Sequence, residues 1–144
     1  MNRELPAIAK AAMRVLACVE EAVTRFPRRH RYGIGADLRS QAMAVARCVH
    51  RAWRERSRQL QRVHELSAAV DDLKLTLQLC DAVKAFRSLG EFEVVARLVS
   101  DLGRQCGGWL KQLHAKGQNA GAGHPPGQRA PILSSRATPA GVAP

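Results

Sequence analysis

Apolar residues recur along this chain in steps of three and four, the signature of one buried helix face after another. The first run is Leu5, Ile8, Ala12, Val15, Val19, Ala22 and Phe26. It must stop at Phe26-Pro27, because Pro27 cannot extend a helix and disfavours helical backbone at the residue before it. The pattern predicts a turn from Phe26 to about Arg29. A second helix then begins between His30 and Ile34 and buries Ile34, Leu38, Ala42, Val45, Val49 and Ala52.

Arg54-Glu-Arg-Ser-Arg58 has no apolar residue. It predicts a bend, with Ser57 placed to cap the helix that follows. The third stripe is Leu60, Val63, Leu66, Val70, Leu73, Leu77 and Cys80. Ser88-Leu-Gly-Glu91 then predicts a capping box, in which the serine hydroxyl and the glutamate carboxylate each satisfy an orphan N–H. The fourth helix follows with Phe92, Val95, Val99, Leu102, Cys106, Trp109 and Leu113. Beyond about Ala115 glycine and proline dominate, and such a composition cannot bury enough surface to offset its ordering entropy.

These elements describe an all-α fold. Residues 1–114 are expected to form an antiparallel up-down-up-down four-helix bundle, and residues 115–144 a disordered tail in which Lys116, Arg129 and Arg136 attract polyanions weakly. That topology brings Trp53 and Trp109 to the same end as Arg54, Arg56 and Arg58. The third helix also carries a second apolar stripe, Leu75, Leu79, Ala82 and Phe86, nearly opposite the first. A helix inside a monomeric bundle needs one buried face. The surplus predicts burial against another subunit or a partner, with Leu75, Leu79 and Phe86 at the interface; the alternative is a wide core stripe with some exposed leucine.

Composition sharpens the picture. Aromatics are only 4% of 144 residues, so the core is aliphatic, and the formal net charge is +11. From Arg25 to Arg62 there are eleven arginines and no lysine against Asp37 and Glu55, which places +9 in this one stretch. Arginine offers a planar fork of donors suited to phosphate or carboxylate. Arg28, Arg29, Arg31 and Arg39 surround the first turn. Arg47, Arg51, Arg54, Arg58 and Arg62 follow at steps of four, three, four and four, which on one continuous helix keeps them in a strip roughly 90° wide or less. A merely solvated face would carry acids three or four positions away, and only Glu55 and Glu65 are available. Binding to a phosphate backbone, without base readout, explains the imbalance better.

Other classes find less support. No apolar run nears the roughly 20 residues of a membrane span, and Arg14, Glu20 and Glu21 spoil an export signal, so a cytoplasmic protein without membrane contact is expected. Cys18, Cys48, Cys80 and Cys106 lie one to each helix among apolar neighbours, as buried reduced thiols would. His30, His50, His64, His114 and His124 lack ligand spacing, and Asp71-Asp72 lacks a catalytic partner and is expected to face solvent or a neighbouring subunit's arginine. The expectation is no metal, no cofactor and no enzymatic activity. Gly33-Ile-Gly35 has neither the preceding strand nor the third glycine of a nucleotide loop. Gly107-Gly108 sits inside a helical pattern at a cost of about 1 kcal/mol per glycine, which predicts close helix approach beside Trp109.

Phe26-Pro-Arg-Arg-His-Arg-Tyr-Gly-Ile-Gly-Ala-Asp-Leu-Arg39 and Asp101-Leu-Gly-Arg-Gln-Cys-Gly-Gly-Trp-Leu-Lys111 together resemble the four-helix-bundle family of the accessory variability determinant protein of diversity-generating retroelements. Relatives are encoded in ribosomal RNA intervening sequences. Phe26, Pro27, Arg31, Tyr32, Gly35, Leu38 and Arg39 look like the family's first motif, and Gly103, Arg104, Gly107, Gly108 and Trp109 like its second. Ile34 and Cys106 stand where Leu or Met is more usual. The resemblance implies a homopentamer with a basic surface that binds template RNA or complementary DNA and a reverse transcriptase during mutagenic copying. The competing expectation is a protein-interaction scaffold of the intervening-sequence type, with no specific nucleic-acid role.

Overall fold

The computed structural model describes residues 5–120, with side chains described up to residue 117. Four long helices, α1 (Ala7–Thr24), α3 (Ile34–Arg54), α4 (Gln59–Ala82) and α5 (Leu89–Ala120), make a helical bundle; a single turn, α2 (Arg28–Arg31), precedes α3. The compact unit ends at Lys111, and residues 112–120 continue α5 as part of a separate unit. Helix runs somewhat further than the composition beyond about Ala115 led one to expect: the chain is still helical at Lys116 and Gly117 and on to Ala120. The expectation of disorder for 121–144, Arg129 and Arg136 included, lies outside the described residues.

Periodicity translates into burial along most of α1 and α3, although Leu5 and Ile34, the first positions of the two stripes, are half-buried. Ile8, Ala12, Val15, Val19 and Ala22 are buried, as are Leu38, Ala42, Val45, Val49 and Ala52. On α4 the stripe from Val63 to Cys80 is buried, but Leu60 is 41% exposed, because α4 has only just begun there. Val95, Val99, Leu102 and Cys106 bury the matching face of α5. α3 packs on both α1 and α4. Cys106 Sγ lies 4.0 Å from the Val63 carbonyl oxygen, and Gly103 faces Val70 and Lys74, which seats α5 on α4.

The turn after α1 is built around Phe26, which is buried and packs edge-to-face on Phe86 with centroids 5.1 Å apart. Phe86 in turn meets Phe92 at 5.5 Å. Such edge-to-face pairs add to the burial of ring area. Phe86 is thus a core residue, a correction to its expected place at an interface. The reason lies in how α4 ends. Lys84 takes a left-handed backbone (φ 60°) and the Ala85 N–H returns to the Cys80 carbonyl at 2.8 Å, a Schellman stop that lifts Phe86 off the helix.

Two expected caps differ. The Ser88 hydroxyl accepts from the Glu91 N–H at 3.1 Å, which is one arm of the capping box. The other arm is replaced: the Glu91 carboxylate turns to Arg25 at 3.5 Å, and Arg25 also reaches Glu21 at 3.7 Å. Ser57 caps nothing, since it sits within the 3-10 turn Arg56–Arg58 and Arg58 occupies the cap position of α4 without a side-chain hydrogen bond.

Candidate nucleic-acid interface

The outward face of α3 forms the basic site. Leu38, Val45 and Val49 face the core, so Arg47, Arg51 and Arg54 fall on the opposite side, within roughly 60° of one another around the axis. With His50, Met43 and the buried Ala46 they line an open depression of about 440 Å³. Arg47 and Arg54 are exposed and Arg51 half-buried. Part of this placement is structural, because Arg51 and Arg54 lie in the last turn of α3, where cations complement the helix dipole. Arg47 lies too far from the helix end for that.

The predicted strip does not run on as one helix. Glu55 leaves helical backbone (ψ 82°) and the 3-10 turn intervenes before α4. Two side chains tie this break down. Gln59 Nε2 donates to the Ala52 carbonyl at 3.0 Å, and Arg62 Nε donates to Glu55 Oε1 at 2.9 Å. Arg62 also binds Glu65 at 3.0 Å. Its guanidinium is held protonated still more firmly by Glu65 and then Glu55, while Arg62 pulls the Glu65 carboxyl below the usual range. Arg62 is thereby withdrawn from the candidate site.

The consequence for the remaining cations is direct. Glu55 and Glu65 were the acids available to quench the strip, and both engage Arg62. Among the described residues no ion pair forms to Arg47, Arg51, Arg54, Arg56 or Arg58. Arg56 belongs to this group although its spacing falls outside the four-three-four register. Only its place in the arginine-rich Arg-Glu-Arg-Ser-Arg segment could have signalled it.

The other predicted arginines divide. Arg39 pairs with Glu20 of α1 at 3.1 Å, and Arg31, half-buried, donates to the Phe26 carbonyl at 3.2 Å. Both are turned to holding the fold. Arg28 and Arg29 are exposed on α2, at the other end of α3, so they do not join the depression.

The motif glycines also separate. A Cβ on Gly35 would meet the His30 carbonyl oxygen and Val23 Cγ1 at 2.9 Å, and one on Gly103 would meet Lys74 Nζ at 2.9 Å. A Cβ on Gly107 or Gly108 would meet no atom of another helix within 4 Å and both are exposed, which corrects the expected close helix approach. Arg104 pairs with Asp101, and Trp53 and Trp109 are half-buried. Leu75 (57% exposed) and Leu79 (47%) stand on the outer face of α4, with Asp71 and Asp72 exposed beside them.

All four thiols are free, but only Cys80 and Cys106 are buried; Cys18 and Cys48 are half-buried, against expectation, because they lie on the flanks of α1 and α3. Burial is the main influence raising all four thiol pKa values. Among the described residues no group of three or more His, Cys, Asp or Glu could hold a metal ion, and no helix is long and apolar enough to cross a membrane. Compared with protein-family models and with curated proteins, the chain matches none.

Proposed function

We propose that this protein is a non-catalytic nucleic-acid-binding accessory subunit, an antiparallel up-down-up-down bundle that holds template RNA or complementary DNA on the outward face of α3. The observation that carries this reading is the capture of both nearby acids by Arg62, which leaves Arg47, Arg51, Arg54, Arg56 and Arg58 without an ion pair among the described residues. Five guanidinium groups around a rigidly tied break attract a phosphate backbone and cost little ordering when it arrives. The resemblance of the two motifs supports a reverse transcriptase of a diversity-generating retroelement as the protein partner, and a homopentamer as the assembled form.

The test replaces Arg47, Arg51, Arg54 and Arg58 by Glu. Binding to RNA or single-stranded DNA should be abolished at low salt while helicity by circular dichroism and assembly mass are kept. Unchanged affinity would eliminate the reading.

A second reading, a protein-interaction scaffold, draws on the exposed Leu75 and Leu79 of α4. Light scattering at micromolar protein separates part of it: a monomer mass would remove self-association as the purpose of that face.

A further inference from the structure

Tyr32, the only tyrosine, is 71% exposed, more than any other large apolar side chain described. It follows α2 directly, so Arg28 and Arg29 stand four and three residues before it and share its face of the turn. Both arginine side chains are exposed and, like the Tyr32 ring, have no ion pair, hydrogen bond or ring contact among the described residues. Gly33 follows, and apart from its chain neighbours no atom lies within 4 Å of where its side chain would be.

The base beneath this ring is fixed. Arg31 donates to the Phe26 carbonyl, Phe26 is wedged against Phe86, and Gly35 presses α3 onto the His30 carbonyl. An exposed aromatic on an ordered turn, with two unpaired guanidinium groups beside it, has the parts that single-stranded nucleic acid requires: a flat apolar face for a base and cations for the adjoining phosphates. A duplex keeps its bases stacked on one another and offers such a ring nothing.

We propose that Tyr32, with Arg28 and Arg29, is a stacking platform for an unpaired base of single-stranded RNA or DNA. This rests on the nucleic-acid reading above and adds a base contact to a site otherwise confined to phosphates. α3 spans 21 residues, about 30 Å, so the platform and the Arg54 end of the α3 face are separate anchor points on one strand.

The experiment uses the full chain and two probes with equal numbers of phosphates: a mixed-sequence single strand of about ten nucleotides, and its fully abasic counterpart. The wild-type protein should prefer the base-bearing strand by roughly fivefold or more. Tyr32→Ala should erase that preference with helicity unchanged, whereas Tyr32→Phe should keep it. Equal ratios for wild type and Tyr32→Ala overturn the platform, and the ring is then free for a protein partner. Equal wild-type binding to both probes also overturns it while leaving the α3 reading intact. Failure of the wild-type protein to bind either probe at low salt overturns both.

Discussion

Arg62 Nε lies 2.9 Å from Glu55 Oε1, across the break that separates α3 from α4. This contact spans seven residues and converts an apparent member of a basic strip into a brace. Removing it should therefore weaken the fold and also release Glu55 and Glu65 toward the remaining arginines. Arg62→Ala is expected to lower the thermal midpoint and to weaken binding to single-stranded nucleic acid, with affinity restored when Glu55 and Glu65 are replaced by Gln in the same chain. Arg54→Ala and Arg58→Ala should weaken binding and leave the midpoint unchanged. Failure of the two glutamine replacements to restore affinity to Arg62→Ala would mean that Arg62 itself reaches the ligand.

The five unpaired arginines make a quantitative claim about salt. If all five neutralise phosphates, the logarithm of affinity should fall against the logarithm of salt concentration with a slope of roughly −3.5 to −4.5. Each Arg→Ala change among Arg47, Arg51, Arg54, Arg56 and Arg58 should reduce the magnitude of that slope by about 0.7 to 0.9. The measurement is a filter-binding or anisotropy titration at several salt concentrations. A slope near zero would mean that charge is not what holds the ligand.

The buried faces of α1 and α3 were legible in the sequence because spacing and burial are the same information when one helix has one core face. The arginine strip was legible only in part. Its register was extended across a bend, and helical spacing carries no meaning once Glu55 turns the chain out of the helix. Phe86 misled for a related reason: a periodic continuation of α4 was stopped by Lys84 in a conformation usually reserved for glycine, so no residue type announced the stop. Gly35 and Gly107 look alike as letters. One is pinned between His30 and Val23 and the other borders open space, a difference that only tertiary packing creates.

Lys84 offers a test of that stop. A left-handed conformation costs a residue with a Cβ about 1 kcal/mol or more, whereas glycine adopts it freely. Lys84→Gly should therefore stabilise the protein by about 0.5–1 kcal/mol after the entropy of the more flexible unfolded chain is counted. The expected readout is a rise of a few degrees in Tm. A loss of stability would show that the Lys84 side chain contributes more than its backbone strain costs.

Alanine at the glycines should give opposite signs. Gly35→Ala forces a Cβ to 2.9 Å from a backbone oxygen and a valine methyl at the seam of α1, α2 and α3, where overpacking costs about 1–3 kcal/mol. Gly107→Ala and Gly108→Ala meet nothing and remove a helix penalty, for a gain of about 0.5–1 kcal/mol each. Chemical denaturation of the three variants decides it. Should the stabilised Gly107 or Gly108 variants lose assembly or binding, the bare backbone of α5 is used by something outside the protomer.

Cys80 makes the fold sensitive to alkali. It is fully buried, and burial, with a smaller push from Asp37, raises its thiol from an ordinary value near 9 to about 11. A thiol whose pKa is higher in the folded state binds its proton more tightly there than in the unfolded chain. Its contribution is thus complete below about pH 9 and disappears as pH rises through 11, a loss on the order of 2–3 kcal/mol. Denaturant titrations under reducing conditions should show stability falling between pH 9 and 11. Cys80→Ala should be less stable near neutrality, because it leaves a small cavity, and should show a shallower decline over that interval. The slope should not vanish, since Cys18, Cys48 and Cys106 are raised by burial too. An unchanged slope in Cys80→Ala would assign the alkaline transition to groups other than this thiol.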